Sequence, residues 1–346
     1  MFSNKIGVGV IGTGMAAKPH AKALNDLKSI IDIRGVFSRN SKKCQDFASE
    51  FEMPFIDNID KLINDSKLDM VIIITPPNQR LELIEKFSSA NKHILMEKPI
   101  ERTSLGAEQI INICKKNEVK LGIVFQHRFR ESSKKLKKII KSKILGSICS
   151  VQANVPWWRD QSYYDEPGRG TYERDGGGVL ISQAIHTLDL MLSLVGPAKE
   201  VQAISHTTKF HKMETEDFVA GGIKFENGAI GSIFATTSSY PGNAESITLN
   251  CEMASAHLQS GVLTINWQDG RLEKYGETAD TGSGTDPMAF PHDWHRDLIE
   301  DFAQSIKNNS NPLITGTEAL KVHYLIDGLI ESSKIGQIVK INSTNR

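Results

Sequence analysis

The chain has 346 residues, of which 24% are charged and 7% aromatic, which is enough apolar material for more than one core. Its 41 basic and 41 acidic side chains cancel to a formal net charge of zero, so no global field draws it to nucleic acid or an anionic membrane. A small, neutral or mildly charged molecule is the expected partner. The opening MFSNKIGVGVIGTGM has neither the length nor the cleavage pattern of a signal peptide, and no run approaches the roughly 18 apolar residues of a membrane span. Cys44, Cys114, Cys149 and Cys251 form no C-x-x-C pair and no His/Cys cluster at metal-ligand spacing. Reduced thiols, no metal and a cytoplasmic location are expected.

Residues 5 to 125 alternate strand and helix patterns. IGVGVIG (6–12), IDIRGVFS (31–38), DMVIIIT (69–75), HILME (93–97) and VKLGIVF (119–125) read as buried strands. Between them PHAKALNDL, KKCQDFASEF, QRLELIEKFSSA and SLGAEQIINICKKN have helical spacing. Strand, helix, strand repeated in this way predicts parallel crossovers in a doubly wound sheet. After residue 125 a basic amphipathic helix, RESSKKLKKIIKSKILG, turns Leu136, Ile139 and Ile140 inward and leaves Lys134, Lys135, Lys137, Lys138 and Lys141 mostly on a solvated face. No aromatic residues interleave with these lysines, which argues against a nucleic-acid patch.

A strand (SICSVQANV), a long aromatic and charged loop (PWWRDQSYYDEPGRGTYERD) and a helix after Gly178 come next. Several strands joined by turns such as ENG then predict a mostly antiparallel sheet, and two helices close the chain. The expected fold is therefore α/β: an N-terminal Rossmann domain over residues 1–125, then an α+β domain over 126–346 with a large, open, mostly antiparallel sheet.

Gly12-Thr13-Gly14-Met15-Ala16-Ala17 stands between the first strand and the first helix as G-x-G-x-x-A. Gly12 permits the tight turn, Gly14 the approach of a pyrophosphate to the backbone, and Ala17 close helix packing. Such a motif alone is weak, but its place between strand and helix points to a dinucleotide. At the end of the second strand, where an acidic residue would receive a ribose 2′-hydroxyl, the chain has Ser38 and Arg39. A hydroxyl and a guanidinium suit a 2′-phosphate, so NADP is the expected cofactor and NAD the alternative; Arg39 equally suits stacking on adenine or a solvent position.

Ligands of a doubly wound sheet sit outside the carboxyl ends of its strands. Those ends carry Thr75-Pro76-Pro77-Asn78 and Glu97-Lys98-Pro99. Pro99 ends the ladder and restricts Lys98 to an extended conformation. A strand-end lysine ordinarily reaches into solvent, but one placed in a cofactor crevice and partly removed from water suits proton transfer or polarisation of a substrate oxygen.

RDGGGVLISQAIHTLDLMLSLVGP (174–197) opens with three glycines and stops at Gly196-Pro197. Helical spacing sets Ser182, Gln183, His186 and Asp189 on neighbouring turns of one side. A lone helical histidine is usually structural. Here the polar stripe and the glycine approach favour a base that takes an alcohol proton near neutral pH, with Asp189 either orienting it or capping a loop.

In this order and spacing, GTGMAA, TPPN, MEKPI and GGG followed by QAIHTLDL resemble the Gfo/Idh/MocA oxidoreductases, named for glucose-fructose oxidoreductase, inositol dehydrogenase and rhizopine catabolism proteins. The resemblance covers essentially the whole chain. It implies a nicotinamide cofactor, a C-terminal sheet used for a homodimer or homotetramer, and a sugar, sugar acid or cyclic polyol as substrate. It further implies Lys98 as the catalytic lysine with His186 as its partner, Glu97 near the nicotinamide ribose and Asn78 along the cofactor. Many members carry an aspartate four residues before the histidine, where this chain has Ser182 followed by Gln183. Together with WWRDQSYYDEPGRGT, that departure looks more like the branch acting on sugars and nucleotide-sugar uronates than like inositol dehydrogenase.

Arg159, Tyr163, Tyr164 and Arg169 are candidates for sugar or carboxylate contacts, because guanidinium forks and aromatic faces suit both groups; a purely structural aromatic loop is the competing reading. His292, near Trp294 and His295 at a late helix start, is a further substrate candidate. The same fold also hosts glycosidases that use NAD for a transient oxidation and a non-catalytic, nucleotide-sensing regulator. Intact Lys98 and His186 argue against the loss of chemistry that the regulator implies.

Overall fold

The computed structural model describes residues 5–280, 282–284, 288 and 290–341, and these fall into two compact units. The first takes in residues 5–101, 105–126 and 291–319. Strands β1 (Ile6–Ile11), β2 (Ile31–Phe37), β3 (Met70–Ile73), β4 (His93–Glu97) and β5 (Leu121–Val124) make one parallel sheet in the order β2-β1-β3-β4-β5. Every residue of β3 and β5 is buried, as expected of strands covered on both faces by crossover helices. The crossovers are α1 (Ala17–Asp26), α2 (Ser41–Glu50) with the short α3 (Asp60–Ile63), α4 (Leu81–Ser89) and α5 (Ser104–Lys116). Asn40 caps α2, its side-chain oxygen accepting from the Lys43 amide at 3.0 Å.

The second unit comprises 102–104, 127–290 and 320–341. It holds α6 (Glu131–Lys141), β6 (Ile148–Pro156), α7 (Gln161–Tyr164) and α8 (Ile185–Val195), the last preceded by a π-helical turn over Leu180–Ala184. β7 (Ala198–His206), β8 (Phe218–Phe225), β9 (Ile230–Thr236), β10 (Ser246–Cys251), β11 (Ala254–Gln259), β12 (Val262–Trp267) and β13 (Leu272–Tyr275) follow. With β14 (Val339–Lys340) they form a nine-stranded sheet in the order β13-β12-β11-β10-β6-β9-β8-β7-β14. Within this sheet only the β6–β9 pair is parallel among the described strands. Alternation along the strands sends Val151, Ala153 and Val155 to the core side of β6, where α8 packs. On β7 and β9, Ile204 and Ile230 are 70% and 55% exposed.

Leu136 and Ile139 of α6 are buried as expected, but the lysine face is not uniformly solvated: Lys137 donates to the Ser193 carbonyl, and Lys135 lies 4.4 Å from the Tyr275 ring centre. The chain also does not divide at a single point near residue 125. Helix α9 (Asp293–Lys307) returns to the first unit, where it packs on α1, β4 and β5, and α10 (Gly316–Ile335) leads back out. The cause is an apolar stripe, Leu298, Ile299, Phe302 and Ala303, whose cover is the Rossmann sheet and its first helix; Phe302 fills the space left by the missing side chain of Gly122. Burying that one ring contributes on the order of 2–3 kcal/mol. No described helix is long and apolar enough to cross a membrane.

Candidate active site

In the first unit, β1 runs into the loop Gly12–Ala16, whose glycines line a cleft of about 690 Å³ together with Ser38, Arg39, Thr75, Pro76 and Asn78. Gly12 has φ +105°, and a Cβ there would come within 3.2 Å of the Ile74 and Thr75 backbone, so both conformation and space require glycine. A Cβ built on Gly14 meets nothing within 4 Å, which leaves the backbone open to a ligand. Helix α1 has no side-chain cap at its N-terminus, and Ala17 is fully buried against the sheet. A helix start without a side-chain cap, its dipole and an open glycine fit the pyrophosphate of a dinucleotide. Met15 is 48% exposed on the same loop. Ser38, Arg39, Thr75, Pro76 and Asn78 are thus gathered with the glycine loop around one cleft.

Glu97 and Lys98 stand at the end of β4, and the Lys98–Pro99 peptide is cis. A residue that the sequence reading passes over organises this strand end. Arg80 is buried at the start of α4; its Nε donates to the Thr75 carbonyl at 2.8 Å, and its Nη1 donates to the carbonyls of Glu97 and Pro99. One guanidinium therefore ties the TPPN loop to the EKP loop. Burial lowers its pKa to about 10, against the opposing fields of Glu97 and Glu101, so it remains a cation at neutral pH.

The Glu97 carboxylate meets two buried histidines. His20 of α1 lies 2.8 Å from Oε1 through Nε2, and His295 of α9 lies 3.9 Å from the same oxygen. Burial opposes the charge on Glu97, but the His20 hydrogen bond and the fields of His20 and Lys98 prevail and bring its pKa to about 2. Burial, with His20 and His292 adding to it against Glu97, brings His295 to about 3 and keeps it neutral. No metal is expected from the sequence, yet these three potential ligands converge. His292, a sequence-predicted substrate residue, is 2.8 Å from Asp26 of α1.

In the second unit, Gly178 brings the chain so close to Glu216 that a Cβ would lie 1.8 Å from its carbonyl oxygen. The Glu216 carboxylate accepts from the amides of Gly178 (3.0 Å) and Leu180 (3.1 Å), capping the helical start from outside the helix. Burial raises its pKa in spite of those bonds. Replacing Glu216 with leucine strands two buried N–H groups and is expected to cost about 2 kcal/mol in urea unfolding, with Glu216→Gln costing less because one acceptor survives. Wild-type stability of the leucine variant would contradict the capping role.

His186 is buried on α8, its ring stacked on His127 at 4.9 Å and 29°. Asp189 is engaged elsewhere than the sequence suggests: both its oxygens are held at 2.6 Å by Arg128. Arg130 donates to His127 Nε2 at 2.7 Å while pairing with Glu245, so the acceptor nitrogen of His127 is unprotonated. Gln183, His186, Thr187 and Asp189 are thus packed inside, and Ser182 is half-exposed.

Gln183 reaches the Tyr163 hydroxyl at 3.3 Å, and the Arg169 guanidinium lies 4.1 Å over the Tyr163 ring while pairing with Glu166. Three of the sequence-predicted substrate residues thus form one cluster. Arg159 is 5.6 Å from the same ring, but its guanidinium is spent on the backbone carbonyls of Trp158, Gly282, Ser283 and Gly284. Tyr164 is directed to the Thr237 hydroxyl at 2.6 Å.

A family model described as "Oxidoreductase family, NAD-binding Rossmann fold" matches residues 6–125, and the GFO/IDH/MocA C-terminal domain model matches 133–257. The myo-inositol 2-dehydrogenase of Thermotoga maritima is 27% identical over 237 residues, 65% of this chain and 67% of that protein. Among solved structures, the WlbA dehydrogenase of Bordetella pertussis in complex with NADH and UDP-GlcNAcA superposes with TM-score 0.83 at 24% identity, covering 98% of this chain and 99% of that one. A levoglucosan dehydrogenase in complex with NADH superposes with TM-score 0.86 at 21% identity, covering 98% and 99%. From the glycine loop of β1 to the nine-stranded sheet, this chain belongs to the GFO/IDH/MocA family of NAD-binding oxidoreductases.

Proposed function

We propose that the protein oxidises a secondary alcohol of a sugar, sugar acid or cyclic polyol, R2CH–OH, to the ketone, and catalyses the reverse reduction. The observation that carries this reading is the Arg80 brace, which ties Thr75 on the wall of the cleft to the strand end that carries Glu97 and Lys98. The nicotinamide, once bound, supplies the hydride acceptor. Gly12, Thr13, Gly14, Met15 and Ala16 hold the pyrophosphate, Thr75, Pro76 and Asn78 line the path of the cofactor, and Glu97 receives the ribose next to the nicotinamide.

Lys98 donates a hydrogen bond to the reacting oxygen and stabilises developing alkoxide charge, and His186 accepts the hydroxyl proton. Electrons and atoms balance as alcohol plus oxidised cofactor giving ketone, reduced cofactor and one proton. Ser182, Gln183, Tyr163 and Arg169 form the polar surface for hydroxyl or carboxylate groups; Arg159 shapes it by holding residues 282–284. His292 contributes from the start of α9. The proteins whose structures resemble this one include dehydrogenases complexed with NADH and a nucleotide-sugar acid or with NADH alone, which favours a pyranose-like substrate. A cytoplasmic homodimer or homotetramer built through the nine-stranded sheet completes the reading, favoured by the exposed Ile204 and Ile230 on its strands.

NADP is the proposed cofactor because Ser38 and Arg39 line the adenosine end of the cleft where a carboxylate would select a 2′-hydroxyl. Arg39→Ala is expected to raise the KM for NADP about tenfold, one charge-assisted contact being worth roughly 1.5–3 kcal/mol, and to leave the KM for NAD within about threefold. A clear wild-type preference for NAD would remove this assignment. Absorbance at 340 nm, followed with each cofactor against a panel of sugars, sugar acids and polyols, tests the whole reading. Net change supports a dehydrogenase, product without net change points to a glycosidase with transient oxidation, and cofactor binding without either points to a nucleotide-sensing regulator.

A further inference from the structure

His20, Glu97 and His295 come from three separate elements of the first unit, α1, β4 and α9, and meet where the side chains are 0%, 9% and 2% exposed. Hydrophobic burial alone does not assemble two imidazoles and a carboxylate, so their convergence asks for a task. Their position suggests one. Ser38 and Arg39 at the end of β2 mark the adenosine side of the cleft, and the glycine loop after β1 marks the pyrophosphate. In the order β2-β1-β3-β4-β5, the ends of β3 and β4 lie on the opposite side of β1 from β2, which is where the other half of a dinucleotide extends. Glu97 is the carboxylate at that end.

We propose that His20 and His295 are positioning residues that clamp the Glu97 carboxylate in one place and one charge state, so that its second oxygen meets the nicotinamide-side ribose and its neighbour Lys98 is held in register. This rests on the dehydrogenase reading of the site. The described hydrogen bonds of the Glu97 side chain use Oε1 alone, with His20 as donor through Nε2. His295 stands edge-on to His20, ring centres 4.8 Å apart at 81°, and closes the carboxylate from the α9 side. The charged and titratable groups around Glu97 are His20 on α1, His295 and His292 on α9, Lys98 on its own strand end, and Arg80 at the start of α4. With His20 in place Glu97 is a carboxylate throughout the working range; without it, burial works unopposed by a hydrogen bond and the carboxyl takes up a proton as pH falls.

Two imidazoles and one carboxylate are also a ligand set of the kind that binds zinc. However, His20 and Glu97 stand at the 2.8 Å of a hydrogen bond, whereas two ligands about 2.0 Å from a tetrahedral ion lie roughly 3.3 Å apart. The geometry fits a clamp.

The test is direct binding of NADPH and NADH, followed by fluorescence and compared with ADP, which lacks the second ribose, in wild type, His20→Leu, His20→Gln and His295→Leu. Expected are an ADP affinity unchanged within about twofold in all four, reduced-cofactor binding about tenfold weaker in both leucine variants, and near-complete rescue in His20→Gln, whose amide restores a donor. The loss in His20→Leu relative to wild type at the same pH should be larger at pH 5.5 than at pH 8. Equal losses for ADP and reduced cofactor would indicate a merely structural role and overturn the proposal, as would unchanged binding in the leucine variants. Stoichiometric zinc in the purified protein, with cofactor affinity lost on chelation, would overturn it in favour of a metal site. Failure of the wild type to bind either reduced cofactor would instead remove the dehydrogenase reading, and the proposal with it.

Discussion

Lys98→Met is expected to lower kcat/KM by at least about 10²-fold, the lower end of what a positioned proton-transferring group contributes, while leaving reduced-cofactor affinity within about threefold. The methionine has nearly the length of the lysine stem and can occupy its path at the end of β4, so loss of the strand end is not the expected cause. What goes is the ammonium, and with it the donor that stabilises charge on the reacting oxygen. Steady-state rates with the best sugar from the panel, together with fluorescence titration of NADPH, separate the two effects. Undiminished turnover would remove Lys98 from the chemistry.

The second large effect is expected at a residue that acts through the backbone of its neighbours. Arg80→Met withdraws the donor from three carbonyl oxygens, those of Thr75, Glu97 and Pro99, in a place where water does not readily replace it. Hydrogen bonds to a charged donor contribute about 1.5–3 kcal/mol each and do not add fully, so a loss of about 3–5 kcal/mol in urea unfolding is expected. Turnover should fall with it even under conditions where the variant is folded, because Glu97 and Lys98 lose the brace on their own backbone. Unfolding at the wild-type denaturant midpoint would show that the guanidinium is dispensable.

These two residues also mark what was legible in the sequence and what was not. Lys98 could be singled out because its signals are local: a buried apolar run, then a charged pair, then Pro99, whose missing N–H ends the ladder. The glycine loop was legible for the same reason, as Gly12 and Gly14 answer to backbone constraints within a few residues of each other. Arg80 carries no such mark. An arginine at the first turn of an amphipathic helix reads as surface, and only the return of β4 beside β3 turns it inward.

Distance along the chain hid the rest. His20 and His295 are 275 positions apart and meet because the apolar stripe of α9 packs on the first unit, which also explains why the cut near residue 125 missed the return of 291–319. Asp189 was correctly placed within a turn of His186, but its partner Arg128 lies beyond the reach of helical spacing, in the segment that follows β5. Glu216 caps the helix after Gly178 across 38 residues, so a capping search confined to the preceding residues finds only glycines. For Arg159 the sequence left two readings open, a contact to a sugar or carboxylate and a structural role in the loop, and its guanidinium holds main-chain carbonyls. The His127 imidazole stacked on His186 lies 59 positions away in the chain and likewise left no mark in the helical spacing.

The central claim is that hydride passes directly from a secondary alcohol carbon to the nicotinamide. It is tested by giving the wild-type enzyme oxidised cofactor and a sugar that supports turnover, deuterated at the carbon oxidised, and measuring the mass of the reduced cofactor. Direct transfer predicts reduced cofactor heavier by one mass unit and a ketone free of the label; unlabelled reduced cofactor, with the deuterium released to water, would contradict it.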